Sequence, residues 1–376
     1  METLEKMETI EKKPFGLRFG PTMFSLMSLL IISVGSYLIW ELFADPSQAV
    51  WKLYPQPFGV VLFWSILFVV FFGFLGQLWG LGHLTQPMSG LLWIALTTVL
   101  AVIVSSVLLH GYGSIDPAFD ISKGGYTATT MIVLIGFYAW GVLGTGMGHW
   151  PWVDLGLKQP WVGIAGFFVG FVLTFFGYII LLYPSFASWT SPDRTILPLT
   201  TVIGWFYSVI VSWLTTFLIL DNWPWTAFGS RAKTAIAALV GNFIIGTGIY
   251  FVFLALLKGF LVPEEAQTSL GAAINIWPAQ LGVCMSFWLI FWANVVGNPP
   301  TGLGPLANRV IRLVITYGLA IATFIAYTRW FAIGVLHEAK ISPSFGGDPM
   351  TWMDLMIYVM LVYVIYLGSY GLTKKA

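Results

Sequence analysis

By type, four histidines and one cysteine are the residues of this chain best fitted for chemistry: His83, His110, His149, His337 and Cys284. His83 and His149 occupy similar stretches, Gly80-Leu81-Gly82-His83 and Gly146-Met147-Gly148-His149-Trp150-Pro151-Trp152. Two facing imidazoles are a ligand set for a b-type haem or a metal ion. The surroundings speak against that chemistry. No His-x-x-x-His, no Cys-x-x-Cys and no carboxylate at the next turn accompanies them. Asp221-Asn222-Trp223-Pro224-Trp225 and Gly297-Asn298-Pro299-Pro300 fill two further junctions of the same kind. A position that takes Asn as readily as His needs a polar cap more than a ligand. Cys284 is alone, so it makes no intrachain disulfide and reads as a small core residue.

Amides come next. Gln77, Asn242, Gln280 and Asn294 fall inside apolar runs, with Ser105, Ser106, Thr145, Thr215, Thr216 and Ser286. Such groups in hydrocarbon seek partners on neighbouring helices. Gln77 and Asn294 come shortly before a turn. Asn294 and Asn298 are four apart and share a face if their helix runs that far. Ionisable residues within the runs would mark an ion or proton path. Glu41, Asp221, Lys258 and Arg329 fall near run ends instead, where long side chains reach the interface. The expected centre is therefore neutral and aromatic. Neither a phosphate-binding Gly-x-x-x-x-Gly-Lys-Ser/Thr loop nor a Gly-x-Ser-x-Gly nucleophile turn is present, and Asp-rich clusters are missing.

The elements that must position these residues are long and apolar. The 376 residues are 58% hydrophobic and 9% charged, with a mean hydropathy of +0.84. A soluble domain carries about 25% charged residues, so the bilayer is the expected solvent. A net charge of +1 and no basic patch exclude a nucleic-acid partner. Ten runs are long enough to span, at about 22–43, 57–80, 88–110, 127–147, 161–183, 199–220, 234–261, 278–297, 306–336 and 352–372. Pro, Gly, Asp and Ser clusters, such as Ser191-Pro192-Asp193 and Gly346-Gly347-Asp348-Pro349, separate them. Residues 1–20 mix Glu and Lys and read as a solvated tail; 21–373 form one transmembrane domain, and 374–376 a second tail. With the N-terminus in the cytoplasm, eleven of the 17 Lys and Arg lie inside, which orients both termini there.

The expected fold is an all-α integral membrane protein of about ten transmembrane helices. The junction motifs centre on His83, His149, Asn222 and Asn298, at separations of 66, 73 and 76 residues. That spacing fits four tandem helical hairpins, spans 2–3, 4–5, 6–7 and 8–9, at about 57–110, 127–183, 199–261 and 278–336, flanked by spans 1 and 10. Gly166-x-x-x-Gly170 in span 5 predicts close helix contact, and Gly246-Thr247-Gly248 leaves a broken seventh helix as a minority reading.

Function follows as expectation. The leading reading is a multi-pass cell-membrane permease or channel for a small neutral or weakly ionic solute, its path between the hairpins. Gln77, Asn242 and Asn294, with a cytoplasmic ring of His83, His149, Asn222 and Asn298, are the expected polar contacts. No catalytic residue, metal or cofactor is expected on this reading. The alternative is the membrane anchor of a redox complex, with haem or quinone near His83 and His149 and partner subunits in place of a homo-oligomer. A third reading is an assembly scaffold.

Overall fold

The computed structural model describes residues 17–187 and 195–373. The charged tail before Leu17, the Ser191-Pro192-Asp193 breaker and the terminal Lys374 and Lys375 lie outside the described residues. Among the described residues, ten helices are long and apolar enough to cross a membrane: α1 Pro21–Phe43, α2 Phe58–Leu75, α3 Met88–Ser114, α4 Gly125–Gly144, α5 Trp161–Leu181, α6 Leu199–Ile219, α7 Arg231–Leu261, α8 Glu264–Val296, α9 Pro305–Gly334 and α10 Pro349–Tyr366. Arg18 N donates to Leu372 O at 3.0 Å, so α1 starts and α10 ends on the same side of the bundle.

Burial alternates along the chain. Between 61 and 83% of each even-numbered span is buried, against 22 to 28% of each odd-numbered one. The even helices form a closed ring: α2 contacts α4, α4 contacts α6, α6 contacts α8, α8 contacts α10, and α10 contacts α2. Each odd helix lies outside the ring against its preceding even helix: α3 on α2, α5 on α4, α7 on α6 and α9 on α8. The first helix completes the series by lying on the last, α1 on α10. Spans 1 and 10 are therefore not flanking elements; α10 belongs to the ring and α1 covers it.

The sequence explains the two layers. Odd helices turn Leu30, Val34, Leu96, Val99, Phe168, Phe171, Ile244 and Val314 outward, all of them exposed. An apolar belt of this extent needs lipid for solvent. Small residues let the belt approach the ring. A side chain at Gly166 would meet Leu75 at 2.7 Å, and one at Gly170 would run into the Trp140 indole. Gly246 faces the Val209 backbone in the same way, at 2.5 Å, and the α-helix continues unbroken from Arg231 to Leu256. A short antiparallel hairpin, β1 Lys340–Ser342 and β2 Phe345–Gly346, closes the end opposite the termini, with Phe345 fully buried against Trp277.

Candidate functional site

All five ring helices end alike on the side of the termini, called here the corner end. Two consecutive residues take left-handed backbone there: Gln77 and Leu78, Gly148 and His149, Asp221 and Asn222, Gly297 and Asn298, Gly368 and Ser369, with φ between 51 and 85°. The second amide of each pair donates six residues back: Leu78 to Phe72 O, His149 to Leu143 O, Asn222 to Thr216 O, Asn298 to Trp292 O and Ser369 to Tyr363 O, at 2.8 to 3.2 Å. This closure satisfies carbonyls that a helix end otherwise leaves open. Among non-glycine residues, Asn, Asp and His are the ones enriched in left-handed backbone. The residue type of the motif is thus set by the turn. The counterpart of His149 in the first turn is Leu78, not His83, which is exposed five residues further on. A fifth corner, Gly368-Ser369, has no His or Asn to betray it in the sequence.

The corner side chains stitch neighbouring ring helices. Asn222 Nδ2 donates to Gly146 O at 3.0 Å and Asn298 Nδ2 to Leu218 O at 2.6 Å. In the two Gln-Pro turns, Gln86 Nε2 donates to Tyr366 O at 2.7 Å and Gln159 Nε2 to Leu75 O at 2.9 Å. The Gln77 amide donates to His149 Nε2 at 3.2 Å. Burial lowers the His149 pKa and so holds the ring neutral. Its Nε2 faces an amide, and its Nδ1 is buried without a partner. The two imidazoles of the haem reading thus sit in unlike places, His83 on the surface and His149 against Gln77. Asp221 at the third corner pairs with Arg309 at 3.4 Å and Arg312 at 3.3 Å.

Just above the corners all five ring helices line one cavity of about 30 Å³, room for about one or two waters. Its walls are Val70 and Phe74 of α2, Phe137 of α4 with Thr145 just beyond it, Trp213, Leu214, Phe217 and Leu218 of α6, Ile290 and Asn294 of α8, and Leu361 of α10. Thr145 Oγ1 is engaged, donating to Gly141 O at 2.6 Å and accepting from Trp213 Nε1 at 3.1 Å. Asn294 Nδ2 donates to Ile290 O at 3.0 Å.

Of the polar contacts expected from the sequence, only Asn294 lines this cavity, beside Thr145, which the sequence also marked as polar. Gln77 lies beyond the end of α2, exposed, because the left-handed turn stops the helix at Leu75. Asn298 does not share a helix face with Asn294, since Gly297 turns left-handed between them. Asn242 is on the outer layer and fully buried. Its Oδ1 accepts from Ser212 and Thr216 Oγ, each at 3.0 Å, and its Nδ2 donates to Ala238 O at 2.6 Å, a complete bridge from α7 to α6.

At the far end of the ring the structure corrects the expectation of a neutral centre. Asp354 is buried in α10, only 5% exposed. Tyr207 of α6 donates its hydroxyl to Asp354 Oδ1 at 3.3 Å, and Asp354 Oδ2 has no partner. Ser286 of α8 stands beside Tyr207, 2% exposed, near enough for its Oγ to interact with the Tyr207 hydroxyl but with no well-formed hydrogen bond. Further out, Gln280 Nε2 donates to Asp348 Oδ1 at 2.9 Å while its Oε1 accepts from Met350 N at 2.6 Å. Glu338 accepts from Tyr327 OH at 2.8 Å and from Asp348 N at 2.5 Å. Burial and then the Asp348 charge push Glu338 up to about 8, against the pull of those two donors. At the same end, burial raises Asp45, but the His337 Nδ1 contact at 2.7 Å and the Ser47 and Gln48 amides outweigh it and leave its pKa lowered. One acid in a run of Met, Trp and Leu was the only signal for Asp354. A span that starts at Trp352 places this acid at its end, whereas the helix starts at Pro349 and carries it inward. No family model matches the chain, and no curated protein or solved structure is significantly similar to it.

Proposed function

We propose that this protein is a membrane permease or channel that carries a small neutral or weakly ionic solute along the axis of the five central helices. The observation that carries the reading is the cavity to which every ring helix contributes a wall. A structural bundle gains nothing from a shared axial void, since each lost contact costs stability. Phe74, Phe137 and Phe217 narrow the cavity, and Asn294 and Thr145 are its polar side chains. A dry aromatic collar of this kind gates by excluding water. Five two-helix units, each an even helix with the odd helix laid on it, make up the ring, α1 serving as the partner of α10. They are tandem and parallel, with the pseudo-axis along the membrane normal. The Lys and Arg bias puts the corner end in the cytoplasm and the far end outside the cell membrane.

Flux into liposomes against a panel of small polar solutes tests the reading. Phe217→Ala is expected to raise the rate several-fold by widening the collar, and Asn294→Leu to lower it about tenfold, the loss of one polar contact of about 1.4 kcal/mol. A panel in which neither the wild type nor Phe217→Ala moves any solute overturns it.

A further inference from the structure

We infer that Asp354, with Tyr207 and Ser286, forms a proton-binding site inside the central ring, loaded from the far end by way of Glu338 and Asp348, and that solute movement is coupled to it. The coupling clause rests on the permease reading. The binding site stands without it.

Three oxygen groups from three ring helices meet there: Asp354 of α10, Tyr207 of α6 and Ser286 of α8. Two of them keep an atom free. Some hydroxyls in these helices return to the carbonyl four residues back, as Ser65 does to Val61, Ser208 to Gly204 and Thr328 to Phe324; Ser212 bonds across to Asn242, and Thr129 Oγ1, like Ser286 Oγ, is buried without a partner. Ser286 Oγ makes no such bond, and Asp354 Oδ2 makes none either. Buried polar groups without partners are rare and call for an explanation. A bare carboxylate at this depth is costly, and among the described residues no Lys, Arg or His pairs with Asp354. The group must therefore take up a positive charge of its own, and one carboxylate with two hydroxyls suits a proton. Among the described residues no group of three or more His, Cys, Asp and Glu gathers to hold a metal ion.

The way in is marked by oxygens. Asp348, half-buried at the mouth of α10, is tied to Thr351 Oγ1 at 2.6 Å and to Gln280. Tyr327 OH spans Glu338 Oε1 and Asp348 O, at 2.8 and 3.2 Å. The titratable groups that face Asp354 are Tyr207 from α6, Cys284 from α8 and Asp348 at the start of its own helix. From the other neighbours, α2 has no titratable residue and α1 offers Tyr37 and Glu41. On α9, Tyr327 is held by Glu338, and Arg329 is engaged by Ser344 O, Leu261 O and the Phe345 ring. The proton comes from water at the far end, binds the free Asp354 oxygen, and leaves toward the corner-end cavity when the solute passes.

Infrared difference titration of the protein in nanodiscs reads the site directly. A protonated-carboxyl carbonyl band that fades as pH rises is expected in the wild type. It should be absent from Asp354→Asn, retained in Glu338→Gln and displaced in Ser286→Ala and Tyr207→Phe. Because those last two keep the acid, they decide the question even if Asp354→Asn fails to fold. An unchanged band in Asp354→Asn, or no displacement in both hydroxyl variants, overturns the proton site. A band abolished by added sodium at fixed pH also overturns it, in favour of a sodium site. In liposomes, an imposed pH gradient is expected to change wild-type flux about fivefold and to leave Asp354→Asn flux unchanged. A band assigned to Asp354 in a protein that moves no solute supports the site and overturns the permease reading. Gradient-driven flux that persists in Asp354→Asn overturns the coupling.

Discussion

The two ends of the central ring spend their polar groups in opposite ways. At the corner end, Gln86, Gln159, Asn222 and Asn298 each donate to a carbonyl at the end of a neighbouring ring helix. Asn222 and Asn298 recur because one backbone closure recurs five times, and Gln86 and Gln159 because a Gln-Pro turn recurs twice. At the far end, Asp354, Ser286, Gln280 and Glu338 occur once each. Buried oxygens without a partner occur at both ends, Asn222 and Asn298 Oδ1 at the corners and Ser286 Oγ and Asp354 Oδ2 at the far end, but of these only the Asp354 oxygen belongs to an ionisable group. Repetition at one end reflects the demands of a turn. The unrepeated buried acid at the other is where proton chemistry remains available.

That contrast is open to attack by mutation, and the strongest blow is to the stitches. Asn242→Leu strands the Ser212 hydroxyl inside the bundle and leaves Thr216 with Trp213 O as its partner, and is expected to cost about 2–3 kcal/mol, read as a fall in the melting temperature in lipid. Flux per folded molecule should stay as in the wild type; a selective loss of flux would make Asn242 part of the path. A second test lies in the far-end acid. Glu338 has its pKa raised to about 8, above the value near 4.3 of an unfolded chain. The folded state then binds the extra proton, so stability is full below about pH 4.3 and is lost as pH rises toward 8. Glu338→Gln should flatten that slope in melting curves taken across the window. Asn298→Ala, smaller in effect, loses the bond to Leu218 O and a residue at ease in left-handed backbone. A destabilisation of about 1–2 kcal/mol is expected. The mildest change is His149→Asn, because Asn already fills this place at the third and fourth corners. Gln77, left without its imidazole partner, is exposed and can turn to water. A shift under about 0.5 kcal/mol with full flux fits; abolished flux would mean that His149 has chemistry its siblings lack.

These particulars show what the sequence could reveal. Ten spans were readable because each is a run of about 20 apolar residues, a constraint the bilayer imposes locally. The corners at His149, Asn222 and Asn298 were readable because left-handed backbone selects few residue types. Leu78 and Ser369 hid theirs, since neither is the type that the turn prefers, and the fifth corner and the ring's closure by α10, with α1 laid over it, went with them. The layering was hidden for another reason. The hydropathies of odd and even spans overlap, so which face meets lipid and which meets the ring depends on contacts far apart in the chain. Asp354 escaped because its burial follows from the start of α10 at Pro349 and from Tyr207 and Ser286, more than 60 residues upstream.

The central claim is that a path runs along the ring axis, and thiol accessibility tests it most directly. In a Cys284→Ala background, Asn294→Cys should react with a small membrane-impermeant thiol reagent while the protein is turning over, and reaction should stop flux. Ile244→Cys, on the lipid-facing side of α7 and 74% exposed in the structure, should neither react nor matter. An Asn294→Cys protein that is folded and carries solute, yet stays unlabelled and unblocked, would contradict the axial path.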